Sequence, residues 1–516
     1  MKRVLIVLAG VIIALVVALA VAPEWASRST PYVRERIVSA LDAHFASRVD
    51  IDALQVSLVP HPALSGSGLT LRYAGGIDLP PLVHISAFAA DASLWGVFAH
   101  PIHLGHVKLD GLDVRIPPGG VDLPGLHGGA SAPSAAPRTS IVVDEIASRH
   151  ARLELPSHRR DRLPRVFEIE DLSLDGFGRP EGARFRAALT NPIPRGRIDT
   201  TGTFGPWVTA APEQTPVRGT YTFTHANLGD INGIGGTLSS TGTYDGVLER
   251  LVVEGQTDTP DFRIDIAGAP VPLSTRFRAI VDGTNGDTWL DRVDARLGQS
   301  TIVASGEVVR AQDVKGRRVA LDVRMTAARL EDLMRLAVNT PRPPLVGQID
   351  LATRFVLPAG NTPVPDRLQL DGTFALAQAH FTNIDVQRRI TLLSQRGRGD
   401  DNGDGTGESV VSNLKGRFTL RGAQLHFSEL AFSVPGAQVQ LAGTYDLHSQ
   451  VIDFAGALLM DASLADMTHG IKSVLARLAQ PFFRRPGGGS KMPIRISGTR
   501  ENPSFRIDLR RVLTRG

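Results

Sequence analysis

Three polar clusters are the places to look for reactive or ligating groups. Asp400, Asn402 and Asp404, followed by Gly405, repeat the first half of a calcium-binding loop, with Glu408 at the ninth position. The twelfth position, where a bidentate carboxylate closes such a loop, holds Val411. The segment therefore reads as a solvated loop. His100, His103 and His106 stand three apart. On a strand His103 points away from the other two, and Pro101 and Gly105 argue against a helix, so no single regular element gathers them around a metal. The run Asp282-Gly283-Thr284-Asn285-Gly286-Asp287 is dense in turn formers and predicts a hairpin tip. Nucleotide-binding glycine loops, the nucleophile-elbow motif and the paired-histidine zinc motif do not occur. No catalytic, cofactor-binding or metal-ligating residue is assigned, and the chain reads as a non-enzyme without a cofactor.

Composition narrows the class further. The 516 residues contain no cysteine, which excludes disulfides, cysteine-ligated metals and cysteine nucleophiles. The formal net charge of +4 is not the footprint of a nucleic-acid binder. Basic residues crowd the tail, from Arg484 and Arg485 through Lys491, Arg495, Arg500 and Arg506 to Arg510, Arg511 and Arg515. Such a tail suits anionic head groups or a partner, or simply dresses a solvated strand face.

The elements are announced by their periods. Lys2 and Arg3 precede Val4–Ala22, a stretch with no charged or polar side chain that includes Val4, Leu8, Ile12, Leu15 and Leu19. As a helix it spans about 28 Å, close to the thickness of a bilayer core. Small residues around Ala18–Ala22 also fit a signal-peptide cleavage site, but the length favours a retained anchor. The flanking charges keep the start in the cytoplasm and send the rest outward. Thr30–Ser47 repeats Val33, Ile37, Leu41 and Phe45 on one helical face. Beyond it the period becomes two. Leu69, Leu71 and Tyr73 form one alternating set; Phe262, Ile264 and Ile266 form a second. Val319, Leu321, Val323 and Met325 form a third, and Phe505, Ile507 and Leu509 a fourth. A Gly-Thr-aromatic element recurs at Gly202, Gly219, Gly242, Gly372 and Gly443, and reads as a turn glycine followed by the start of a strand. Helical spacing predicts helices over Thr326–Val338 and Ala462–Gln480, the second ended by Pro481. Pro117–Ser140 and Gln395–Ser412 read as exposed, mobile loops.

The two ends of the chain carry a family pattern. After the anchor and helix come Arg48-Val49-Asp50-Ile51 and then Leu54, Val56, Ser57, Leu58 and Pro60. At the far end stand Phe418-Thr419-Leu420, Leu430-Ala431-Phe432, and Val439, Leu441 and Gly443-Thr444-Tyr445-Asp446-Leu447. Pro493-Ile494, Ile496-Ser497-Gly498-Thr499 and Asn502-Pro503 follow. This arrangement resembles the AsmA family, and Gly235–Leu273 and Ala327–Leu357 are similar to such chains in layout. The resemblance implies a mainly β protein: a transmembrane helix, then a long, curled, mostly antiparallel sheet forming an apolar-floored groove, with a few capping or amphipathic helices. It divides the chain into an anchor (1–29), an elongated β body (30–390), a mobile polar loop (391–412) and a C-terminal region (413–516) with its amphipathic helix at 462–480.

The resemblance also implies a place and a task. The protein would sit in the inner membrane of a Gram-negative cell with its bulk in the periplasm. It would bind or transfer phospholipid and support outer-membrane assembly, with an outer-membrane or periplasmic protein as partner. The alternating residues Phe262, Ile264, Ile266, Leu321, Val323, Phe418 and Leu420 are the candidate lipid path. Roughly 25 strands at about 4.8 Å each would give a groove on the order of 120 Å. The alternative is a periplasmic scaffold for outer-membrane assembly factors whose core is filled with protein.

A retained anchor has a direct consequence. The mature protein should remain with the inner-membrane fraction after an alkaline wash, whereas a soluble product beginning near Val21 or Pro23 would show that Val4–Ala22 is removed.

Overall fold

The computed structural model describes residues 48–507 except for 58–60, 73–80, 82, 94–101, 116–140, 156–164, 207, 209–210, 265–268, 312–313, 315, 338–341, 401–404, 406–409, 463–488 and 500–501. The expected anchor (Val4–Ala22), the helix at 30–47, the loop at 117–140 and the helix at 462–480 beyond Ala462 lie outside the described residues. Among the described residues no helix is long and apolar enough to cross a membrane.

The fold is mainly β, as the alternation requires. One mixed, mostly antiparallel sheet takes up 24 strands, and Ile234–Gly235 pairs with Arg263–Ile264 in a second, two-stranded sheet. Two compact units divide the chain. The first comprises Met1–Asp230, Thr237–Thr257 and Ile280–Gly286; the second comprises Ile231–Gly236, Asp258–Ala279 and Asp287–Gly516.

In the first unit, hairpin follows hairpin with one exception. Ile102–Arg115 and Ile141–Leu155 run parallel, so the chain crosses over between them. The apolar face of these strands is dry. Val83, Ile85, Leu104, Val107, Val143 and Ile146 are at most 1% exposed. Farther along, Gly219 lies opposite Tyr244, and Tyr221 lies opposite Gly242. The Gly-Thr-aromatic element is therefore a mid-strand device, not a turn. A glycine leaves room that the ring on the neighbouring strand covers. The Tyr244 hydroxyl meets Thr200 Oγ1 at 2.6 Å and the Tyr221 hydroxyl meets Ser240 Oγ at 3.1 Å. Burial raises both phenol pKa values, against the smaller opposing effect of these hydrogen bonds. Asp282 closes the expected hairpin tip by accepting from the Thr284 N–H at 2.8 Å and the Thr284 hydroxyl at 2.6 Å.

The second unit contains eleven strands of the main sheet from Thr288–Leu297 to Pro503–Ile507, each antiparallel to the next where their pairing is given. Three short helices join them: α1 (Leu330–Ala337), α2 (Val364–Arg367) and α3 (Ile384–Gly397). Two of these correct the sequence reading. The predicted helix at Thr326 begins at Leu330, because the strand Arg317–Arg329 continues through a bulge between Met325 and Ala328. That bulge places two apolar residues three apart and imitates helical spacing. The segment 391–412 is no uniform loop: Thr391, Ser394 and Gly397 are buried residues of α3, which Asn383 caps through the N–H groups of Asp385 and Val386.

Both longer helices tie down one end of the sheet. Leu330, Leu333 and Met334 of α1 cluster with Met325, Ile349, Leu376 and Ala379. Asp332, 6% exposed, accepts from Ser300 Oγ at 2.8 Å and from the Gln299 N–H at 3.0 Å. Ile390 and Leu393 of α3 pack on Val434, Ala437 and Met460.

Glycine opposite an aromatic recurs in this unit. Gly416 faces Phe374, and a Cβ there would come 2.9 Å from the ring and 2.7 Å from the Glu429 carbonyl oxygen. Gly416→Val should therefore cost about 1–3 kcal/mol through overpacking, read as a lowered urea midpoint; wild-type stability would show that the ring does not rest on this glycine.

Candidate functional site

The register of the second unit puts its apolar side chains in rows that cross the strands. One row passes from Val323 through Thr353, Gly372, Phe418, Phe427, Gly443, Phe454 and Ile496 to Phe505. A second passes from Leu321 through Phe355, Leu370, Leu420, Leu425 and Tyr445 to Ile452. Directly opposed residues of paired strands share a face, so both rows lie on one side of the sheet. The rings touch. Phe374 lies 6.2 Å from Phe418 and 6.4 Å from Phe427, Phe418 lies 6.4 Å from Phe427, and Phe427 lies 5.8 Å from Phe454, all tilted or edge-on. These are favourable aromatic geometries.

Four of the candidate residues, Leu321, Val323, Phe418 and Leu420, therefore meet on a single face. Leu420 is buried and the other three are half-buried. The remaining three do not join them. Ile264 belongs to the two-stranded side sheet and Phe262 lies just before it; both pack with Val271, Leu297 and Leu336 of α1. Their alternation reflects that local cluster, not a strand of the large sheet. Ile266 lies outside the described residues.

The two units treat their apolar faces differently. In the first unit the apolar side chains of the strands Ala63–Arg72 to Ile141–Leu155, such as Leu64, Ile85, Leu104 and Ile146, are fully buried, while Phe204, Tyr221 and Tyr244 farther along are half-buried. In the second, α1 and α3 pack at the end marked by Ile349, Leu376, Val434 and Met460. Phe374 packs with the α1 cluster, but among the described residues no apolar cluster joins a helix to the two rows, and Phe418 and Phe427 are left half-buried by their strand neighbours. At the last strand Phe505 is 71% exposed.

The opposite face of the second unit is polar, and it holds a cleft of about 1440 Å³. Arg324, Asp350, Lys415, Arg417 and Glu429 line it, with alanines between them. One of its rows runs Asp350, Ala375, Lys415, Ala431, Gln440, Ala457 and Pro493. Sequence reading missed this cleft. Its signal was a set of alanines on the wet side of strands, where Ala is a poor strand former.

The histidines are placed by a bulge. Leu104 and Val107 both point inward, so Gly105 and His106 together oppose the neighbouring strand around Asp91. His103 and His106 consequently share the wet face, contrary to simple alternation. His103 Nε2 lies 3.2 Å from Asp144, and His106 Nδ1 lies 3.2 Å from Asp91. They sit in separate carboxylate pairs, and among the described residues no group is arranged to hold a metal ion. His100 is outside the described residues, as is most of the calcium-like loop.

No protein-family model, curated protein or solved structure matches the chain.

Proposed function

We propose that this is an inner-membrane-anchored periplasmic protein of the AsmA type that binds or transfers phospholipid in support of outer-membrane assembly. The observation that carries the reading is the apolar face of the second unit. Its transverse rows run over consecutive strands, and they expose aromatic and aliphatic surface beyond the ends covered by α1 and α3. Water is a poor cover for such a surface. An acyl chain is a good one. Each CH₂ removed from water contributes about 0.8 kcal/mol, so a chain of roughly 16 carbons gains on the order of 12 kcal/mol before ordering costs. The face presents no fixed charge along the two rows, so an acyl chain crossing it meets no group that must be desolvated.

The scaffold reading draws on the first unit, whose apolar face is dry at Ile85, Leu104 and Ile146. Around those residues protein already fills the space. Lipid handling is therefore assigned to the second unit.

Photo-crosslinking residues at Leu321 and Phe418 should capture phospholipid, and one at Arg417, on the opposite face, should not. Leu321→Asp combined with Phe418→Asp should abolish lipid capture at Val323 while the protein stays folded, because both carboxylates would face a surface that is open to water. An unfolded double variant together with no capture at wild-type positions would favour the packed scaffold and overturn the lipid assignment.

A further inference from the structure

The polar cleft of the second unit is lined mainly by residues of the wet face, with Met325, Leu351, Phe374, Leu430 and Leu441 from a row of the apolar face also contributing to its wall. It reaches from the strand Arg317–Arg329 to the strand Ser490–Thr499, eight strands in all, or about 34 Å at the usual spacing. Four cations line it, Arg324, Lys415, Arg417 and Lys491, against two acids, Asp350 and Glu429. Among the described residues these four cations make no ion pair. Glu429 stands directly across from Arg417 in register without bonding it. Asp350 is already engaged, accepting the Ala327 N–H at 2.7 Å. Just beyond the cleft the same face behaves otherwise, since Arg495 and Asp453 close a bridge at 3.1 Å.

Charge complementarity thus calls for an anion, and the spacing says which kind. Lys415 and Arg417 stand about 7 Å apart on one strand, Arg324 about 14 Å away, and Lys491 about 19 Å away on the other side. Cations spread in this way suit a chain with repeated negative charges better than a single phosphate. The strands beneath are central ones whose backbone groups pair with both neighbours, so a peptide could not be read through its main chain here. Recognition must come from side chains. Between the cations lie amides and a hydroxyl, Gln438, Gln440 and Thr373, which suit a hydroxyl-rich chain. The alanine floor leaves room for a ring-shaped repeat. We infer that this cleft binds an acidic polysaccharide.

The test uses the full chain in detergent and a labelled oligogalacturonate as probe, with a neutral maltodextrin, poly-glutamate and anionic phospholipid vesicles as competitors. The uronate should bind and the maltodextrin should not compete. Lys415→Gln with Arg417→Gln should weaken binding by at least about tenfold, the scale of one lost charge-assisted hydrogen bond, at unchanged melting temperature. Arg296→Gln, outside the cleft, should leave binding as it was. Equal binding by the double variant would overturn the inference, as would displacement by poly-glutamate or vesicles as effective as by unlabelled uronate. Should the double variant fail to fold, single Lys491→Gln provides the same reading at the far end of the cleft.

Discussion

Cross-strand register is the constraint on which the rest of this protein depends. A strand alternates its side chains between two faces, and pairing fixes which residues of successive strands stand side by side. In the second unit this aligns Val323 with Phe418 and Phe427, and Leu321 with Leu420. A slip of one residue in the strand Ser412–Arg421 would drive Arg417 or Lys415 into the aromatic rows. Glycine and phenylalanine sharpen the match. Gly416 receives the ring of Phe374, and Gly443 lies opposite both Phe427 and Phe454. The resulting apolar surface is continuous because the small residues recur where the rings need space.

Continuity has a consequence for energy. In the early strands of the first unit, around Ile85, Leu104 and Ile146, the apolar face is closed and behaves as a core. In the second it is closed only toward the ends where the two longer helices lie. Asp332 helps hold α1 in that position through Ser300 and Gln299, and Asn383 starts α3. Beyond the helices, half-buried aromatics remain. A soluble protein seldom keeps so long a row of them without a ligand or partner. The reverse face spends its polar groups differently, with an alanine-floored, cation-lined cleft instead of the ion pairs that link Arg218 to Asp245 and Arg495 to Asp453 elsewhere.

Much of this was legible in the sequence, and what was not has physical reasons. Leu321, Val323, Phe418 and Leu420 could be placed on one face because their alternation belongs to long, regular strands. Phe262 and Ile264 alternate equally well, yet the strand there is only Arg263–Ile264, and their apolarity serves the cluster with Leu336 of α1. The bulge at Thr326 and Ala327 shifted phase and made a strand end look helical. Helix α3 was hidden because the residues it buries are Thr391, Ser394 and Gly397, close against Gly436 and Ala437, rather than an apolar stripe. The Gly-Thr-aromatic element was visible as a repeat, but its meaning needs the partner strand: only pairing reveals that Gly219 lies opposite Tyr244.

The central claim is that the exposed apolar rows of the second unit are covered by acyl chains. Native mass spectrometry of the full chain, purified in mild detergent, tests this most directly. The account predicts adducts of phospholipid mass that survive exchange into a lipid-free detergent and disappear on delipidation, leaving a folded protein that takes lipid up again. A folded protein that carries no phospholipid and acquires none when it is supplied would contradict it.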